Sequence, residues 1–124
     1  MASVELTQSS FGTQIAKTGI TLVDFWAEWC GPCRIFSPIF EAASEKYPEI
    51  TFGKVDTEAQ PQLADEAGIS SIPTLMVFRD GILLYSNPGA LAAEALDEII
   101  SAVATLNMDD IRKEVAEQNQ KAKP

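Results

Sequence analysis

The sequence predicts an α/β fold in which a central mixed β-sheet carries helices on both faces. Three observations lead there. Thr21 to Ala27 is apolar apart from Asp24, the pattern of a central strand buried on both sides. Strand-like and helix-periodic segments then alternate, strand-helix-strand-helix, as in a layered α/β domain. Finally, Asp80-Gly81 separates two apolar runs, the strongest hairpin signal in the chain, and adds an antiparallel pair to the sheet.

Each element has a local cause. Ser9-Ser10 offers hydroxyls to cap a short helix from Phe11 to Lys17, with Phe11 and Ile15 on one face, and Gly19 ends it. Beyond the Thr21 to Ala27 strand come Ile35, Phe36, Ile39, Phe40 and Ala43. They follow helical spacing as far as Tyr47-Pro48, with a kink expected at Pro38. Ile50 to Val55 reads as a second strand, and Gln62 to Ala67 as a helix closed by Gly68. The hairpin arms are Thr74 to Arg79 and Ile82 to Ser86. Leu91, Ala95, Leu96, Ile99, Ile100 and Val103 then mark an amphipathic helix.

A chain of 124 residues suits one domain with a single core. That domain is expected over residues 1–107, followed by a helical or disordered extension over 108–124. The extension has only a thin apolar stripe, Met108-Ile111-Val115, which reads as a solvated, fraying helix. With 18 Asp and Glu against 9 Lys and Arg, the charge opposes nucleic acid and polybasic membrane attachment. No apolar run approaches the roughly 20 residues of a membrane span. Residues 1–6 lack a basic start and an apolar leader, so a cytoplasmic, reducing setting is expected.

The two cysteines stand in Trp29-Cys30-Gly31-Pro32-Cys33, at the junction of the buried strand and a helix. A permanent disulfide is out of place in a reducing compartment, and so short a loop constrains the unfolded chain little. A structural zinc site needs four ligands, and the chain has no His and no third Cys. Redox chemistry fits the placement better than incidental thiols do. At the mouth of a helix, unpaired N–H groups and the helix dipole favour a thiolate on Cys30. Cys33, about one turn inside and expected to be less exposed, can attack the mixed disulfide that Cys30 forms with a target. Gly31 lets a substrate backbone approach, and Pro32 fixes a torsion and withholds a donor.

These residues resemble the thioredoxin family. The likeness spans roughly Val4 to Leu106. It rests on Trp29 to Cys33, Val23 to Ala27, Gly68 to Thr74 and Phe78 to Gly81. It implies the thioredoxin fold and a thiol-disulfide oxidoreductase that reduces protein disulfides. Such a protein holds no bound cofactor or metal and is recharged by thioredoxin reductase from NADPH. Its partners are that reductase and disulfide-containing target proteins, and it is expected to be a monomer. Carried over residue by residue, Cys30 is the nucleophile and Cys33 the resolving cysteine. Asp24 is the buried acid that manages the Cys33 proton through water, and Lys54 is the basic residue near that acid. Pro73, after Ile72, is cis and lies beside the sulfurs. Trp29, Gly31, Pro32, Ile72, Pro73 and Gly89 form the target-binding surface.

From the residues alone, Asp24 has the alternative of a solvated edge residue, against which its apolar neighbours speak; Lys54 is equally a surface lysine, Pro73 reads as a trans proline, and Gly89 has the alternative of a simple turn glycine. The departures from the family pattern are modest: Arg34 in place of a common Lys, and Asn87-Pro88 before Gly89. Two other functions share the fold. An isomerase or oxidase usually has another residue where Pro32 stands. A binding module would keep its function without either cysteine.

Overall fold

The apolar run around Asp24 forms the middle strand of a five-stranded sheet. The computed structural model describes residues 2–122, so the last two residues of the extension lie outside the described residues. In chain order the elements are β1 (Val4–Glu5), α1 (Phe11–Ile15), β2 (Ile20–Trp26), α2 (Gly31–Lys46) and β3 (Thr51–Asp56). They continue with α3 (Pro61–Glu66), β4 (Thr74–Arg79), β5 (Ile82–Pro88), α4 (Ala93–Thr105) and α5 (Met108–Ala122). The strands lie in the order β1-β3-β2-β4-β5. β1, β3 and β2 are parallel, and β4 and β5 are antiparallel to their neighbours. This is the mixed sheet the element order implies.

Because side chains alternate along a strand, each face of the sheet collects its own core. Leu22, Phe52, Leu75 and Val77 face α2 and α4, where they meet Phe36, Phe40, Leu96, Ile100 and Val103. Val23, Phe25, Val55, Met76 and Phe78 face the other way, toward Leu63 of α3 and Phe11 and Ile15 of α1. Burial of each of these large side chains is worth about 1.5–3 kcal/mol. Asp24 and Lys54 share the α2 side with Leu22 and Phe52 by the same alternation, and they are register partners across β2 and β3.

Several local expectations differ from the structure. β1 was not foreseen: two exposed residues pair with β3 while Leu6, just beyond, is buried. Gly53 makes room for it, since a Cβ there would overlap the Leu6 side chain. The Ser10 hydroxyl does not cap α1. It accepts from the Thr7 amide at 3.0 Å, and α1 ends at Ile15 rather than Lys17. α3 begins one residue early, at Pro61, whose missing N–H is harmless in a first turn. α2 holds Pro38 in its interior and continues to Lys46, as the helical spacing up to Tyr47 implies. Ile35 is 65% exposed and outside the core, because it lies off the stripe of Phe36, Phe40 and Ala43. β5 runs on to Pro88, and Leu91 precedes α4 while packing against the core. The Asp80-Gly81 turn has positive φ at both residues, 53° and 82°, which suits the right-handed twist of a tight hairpin.

Candidate active site

Three segments meet at the C-terminal end of β2: the first turn of α2, the Ile72-Pro73 bend before β4, and Gly89 after β5. Cys30 is the N-cap of α2, with extended backbone (φ −86°, ψ 114°), and Pro32 sits in the first turn, where its missing N–H costs nothing. The helix therefore starts at the cysteines. The Cys33 amide donates to Cys30 Sγ at 3.2 Å. Sulfur thus takes the place usually held by a capping oxygen, on one of the orphan N–H groups of the helix. The two sulfurs are joined in a disulfide, with the Cα atoms 5.3 Å apart.

The cysteines are equally enclosed, each 3% exposed, which corrects the expectation that Cys33 is the more hidden. What separates them is position: Cys30 precedes the helix and Cys33 lies within its first turn. Cys30 Sγ is 3.7 Å from the Ile72 carbonyl oxygen, and Ile72 packs against the small cluster formed by Ala27 and the two cysteines. The Ile72-Pro73 bond is cis. The Gly89 amide donates to the Pro73 carbonyl at 2.8 Å, tying the end of β5 to this bend. Gly89 has φ 106°, a conformation other residues rarely adopt, and Pro88 pairs with Thr74 in the sheet. Gly89 is thus part of the site's frame.

The rim is open and apolar. Trp29 is 68% exposed, and Gly31 and Pro32 are exposed beside it. The Trp29 indole N–H donates to Glu58, which holds the ring across the surface. A hollow of about 400 Å³ runs from Trp29 along Ile69, Ser70, Ser71 and Ile72. A second, of about 230 Å³, reaches Cys33 from the other side and is lined by Trp26, Arg34, Ser37 and Lys54.

Asp24 lies below the site on the α2 side, with 0% exposure, and neither of its carboxyl oxygens has a hydrogen-bond partner among the described residues. Burial raises its pKa from 3.8 to about 7. Lys54 pulls the value down and Glu41 pushes it up, both more weakly. Lys54 is beside Asp24 in register but does not bond to it. Its ammonium donates to Ser37 Oγ at 2.8 Å, stands 4.0 Å from Glu41 Oε1, and lies 5.1 Å over the Trp26 ring. Ser37 and Glu41 are the polar residues that sequence reasoning missed. The signal was a stripe along α2, Cys33-Ser37-Glu41, at steps of four residues.

Comparison with known proteins agrees with this geometry. The family model described as Thioredoxin matches residues 2–102. A Streptomyces coelicolor protein assigned as thioredoxin 2 is 50% identical over 121 residues, 98% of this chain and 90% of that one. The thioredoxin of Chlamydia muridarum is 42% identical over 96 residues, 77% of this chain and 93% of its own. That of Bacillus subtilis is 35% identical over 102 residues, 82% and 97%.

Proposed function

The chain belongs to the thioredoxin family and is a thiol-disulfide oxidoreductase, and from that premise we propose that thioredoxin reductase recharges it and Asp24 handles its proton. The observation that carries the reading is the Cys33 amide on Cys30 Sγ at the start of α2. A donor and a helix N-terminus aimed at one sulfur favour its thiolate.

The Cys30 thiolate attacks one sulfur of a target disulfide. The target S–S bond breaks, an S–S bond to Cys30 forms, and one target thiolate leaves. The Cys33 thiol then loses its proton and attacks Cys30 Sγ. The mixed disulfide breaks, the second target thiolate leaves, and Cys30 and Cys33 end as the disulfide. Two electrons pass to the target, and with two protons it becomes a dithiol.

In this reading Asp24 accepts the Cys33 proton, directly or through water. A carboxyl with a pKa of about 7 both takes and returns a proton at neutral pH, the useful poise for a general base. Lys54 tunes that acid. The target lies across Trp29, Gly31 and Pro32, against Ile72 and Pro73, with Gly89 framing the far side. The absence of a side-chain obstruction at Gly31 supports this. The catalytic domain is residues 1–107 and the extension is 108–124. The chain acts as a monomer in the cytoplasm, where a pool of reductant keeps a dithiol reduced. Among the described residues no helix is long and apolar enough to cross a membrane.

The test is NADPH oxidation coupled to insulin-disulfide reduction, with a thioredoxin reductase as electron donor. Consumption that requires Cys30 is expected, with a couple near the roughly −270 mV of a reducing pair, in keeping with Pro32. Recharging by glutathione but not by the reductase would remove the partner. A midpoint near roughly −120 mV would replace reduction with oxidation.

A further inference from the structure

We propose that Ser37 and Glu41 are positioning residues that tether the Lys54 ammonium on the α2 side, so that it does not close onto Asp24. The inference deepens the function above and rests on Asp24 as the proton acceptor for Cys33.

Asp24 and Lys54 are register partners on adjacent strands and project to the same face, an arrangement in which a carboxylate and an ammonium ordinarily pair. Here no such ion pair forms. The Lys54 ammonium is engaged from α2, by Ser37 Oγ at 2.8 Å and Glu41 Oε1 at 4.0 Å, with the Trp26 ring beneath it. Glu41 is itself steered. Ser3 Oγ, just before β1, donates to Glu41 Oε1, the oxygen nearer Lys54. Glu41 Oε2 is buried with no hydrogen-bond partner among the described residues.

The charged groups around Asp24 are few. β3 supplies Lys54 and α2 supplies Glu41, while β4 presents Leu75 across from Asp24. β1 adds Glu5, the register partner of Lys54 on its other side, which is exposed. A tether on Lys54 therefore decides whether Asp24 meets a close cation. Held away, Lys54 only partly offsets the burial that raises the Asp24 pKa to about 7. Released, it could approach and favour the carboxylate. The tether keeps Asp24 able to hold a proton near neutral pH, as a group that accepts and returns the Cys33 proton must.

The experiment follows the Asp24 carboxyl by carbon-13 NMR across pH in the full-length oxidised protein, with Asp24→Asn assigning the signal. Glu41→Gln keeps the side chain's shape and an acceptor for Ser3. It should move the Asp24 midpoint down by roughly one unit, a tenfold change in the ionised fraction ratio. Ser37→Ala, a mild change, should move it the same way by less. In a Lys54→Met background the Glu41→Gln shift should shrink by half or more, because the tether has nothing left to hold. The pH profile of insulin reduction should follow the same midpoints. An equal Glu41→Gln shift with and without Lys54 would make Glu41 a bare neighbouring charge and overturn the tether. So would unchanged midpoints in both single variants. If Asp24→Asn leaves turnover intact while the midpoints move as expected, the tether stands and the proton role of Asp24 falls.

Discussion

Asp80, in the β4–β5 turn, accepts from the Gly19 amide at 2.8 Å and from Arg112 at 3.1 Å. Asp24, in the middle strand of the same sheet, has no partner for either oxygen among the described residues. The residues around them differ in the same sense. Beside Asp80, Arg79 donates through one nitrogen to the carbonyls of Val103, Ala104 and Leu106, so the end of α4 is satisfied by a side chain. Beside Asp24, a lysine in register is engaged elsewhere. One aspartate spends its charge on anchoring the chain. The other has no such partner, which costs stability and, in the proposed function, leaves it free to take and return a proton. Substitutions at the Asp24 end should therefore change chemistry, and at the Asp80 end only stability.

The largest effect is expected at the sulfurs. Cys33→Ser should abolish turnover, by about a thousandfold or more, and accumulate a covalent complex between Cys30 and the target. Intact mass spectrometry after a single addition of a disulfide peptide would show it. Accumulation on Cys33 in the reciprocal Cys30→Ser variant, with none on Cys30 in Cys33→Ser, would reverse the roles.

The next effect separates stability from chemistry at one residue. The folded Asp24 pKa, about 7, lies above its ordinary value of 3.8, so the folded state holds its proton longer. Stability is full below pH 3.8, falls as pH rises from there to about 7, and then levels off, for a total of about 4 kcal/mol. Asp24→Asn removes this dependence but leaves an amide short of partners, at about 1–3 kcal/mol. Urea unfolding should find the variant more stable at pH 8, by about 1–3 kcal/mol, and not at pH 4. Its turnover should fall by roughly tenfold to a hundredfold. A variant less stable at pH 8 and fully active would make Asp24 an anchor after all, and the contrast with Asp80 would collapse.

The mirror case is Arg79→Ala. Two carbonyls of α4, Val103 and Ala104, and that of Leu106 just beyond it lose the guanidinium donor, so unfolding should become easier by about 1–3 kcal/mol. Insulin reduction at a temperature where the variant is folded should not change. Loss of turnover in folded protein would mean that the two ends of the sheet are coupled.

The contrast between these ends was only partly legible beforehand. The cysteine motif and the acid in an apolar run are short-range signals, visible because each breaks the pattern around it. The hairpin was legible for the same reason, since Asp80-Gly81 names its own turn. What required the fold was pairing at a distance. The register of Asp24 with Lys54, the bond from Gly89 to Pro73, and the reach of Arg79 to α4 depend on how strands align and helices dock. β1 was missed because two exposed residues carry no periodicity, and its pairing is imposed by β3. Ser10 misled because a hydroxyl before a helix has more than one backbone donor within reach.

The smallest effect is expected from the extension. α5 makes its own start: the Asn107 side chain accepts from the amides of Asp109 and Asp110 at 3.0 and 3.2 Å, with two acids in the first turn. Among the described residues its ties to the domain are few. Met108 is buried, Ile111 is half-buried, and Arg112 bridges to Asp80 with its side chain 53% exposed. A partly exposed ion pair contributes about 0–1 kcal/mol. Deleting residues 109–124 keeps Met108 and every residue of the cysteine site, and the matched family segment ends earlier still, at residue 102. The truncated protein should lose on the order of 1 kcal/mol in urea and reduce insulin at an unchanged rate. The Streptomyces relative, however, aligns over 98% of this chain, which takes the match well into α5. If truncation slowed insulin reduction severalfold with the urea midpoint unmoved, the Asp80 end of the molecule would carry a share of target binding. Anchoring and chemistry would then no longer divide between the two aspartates.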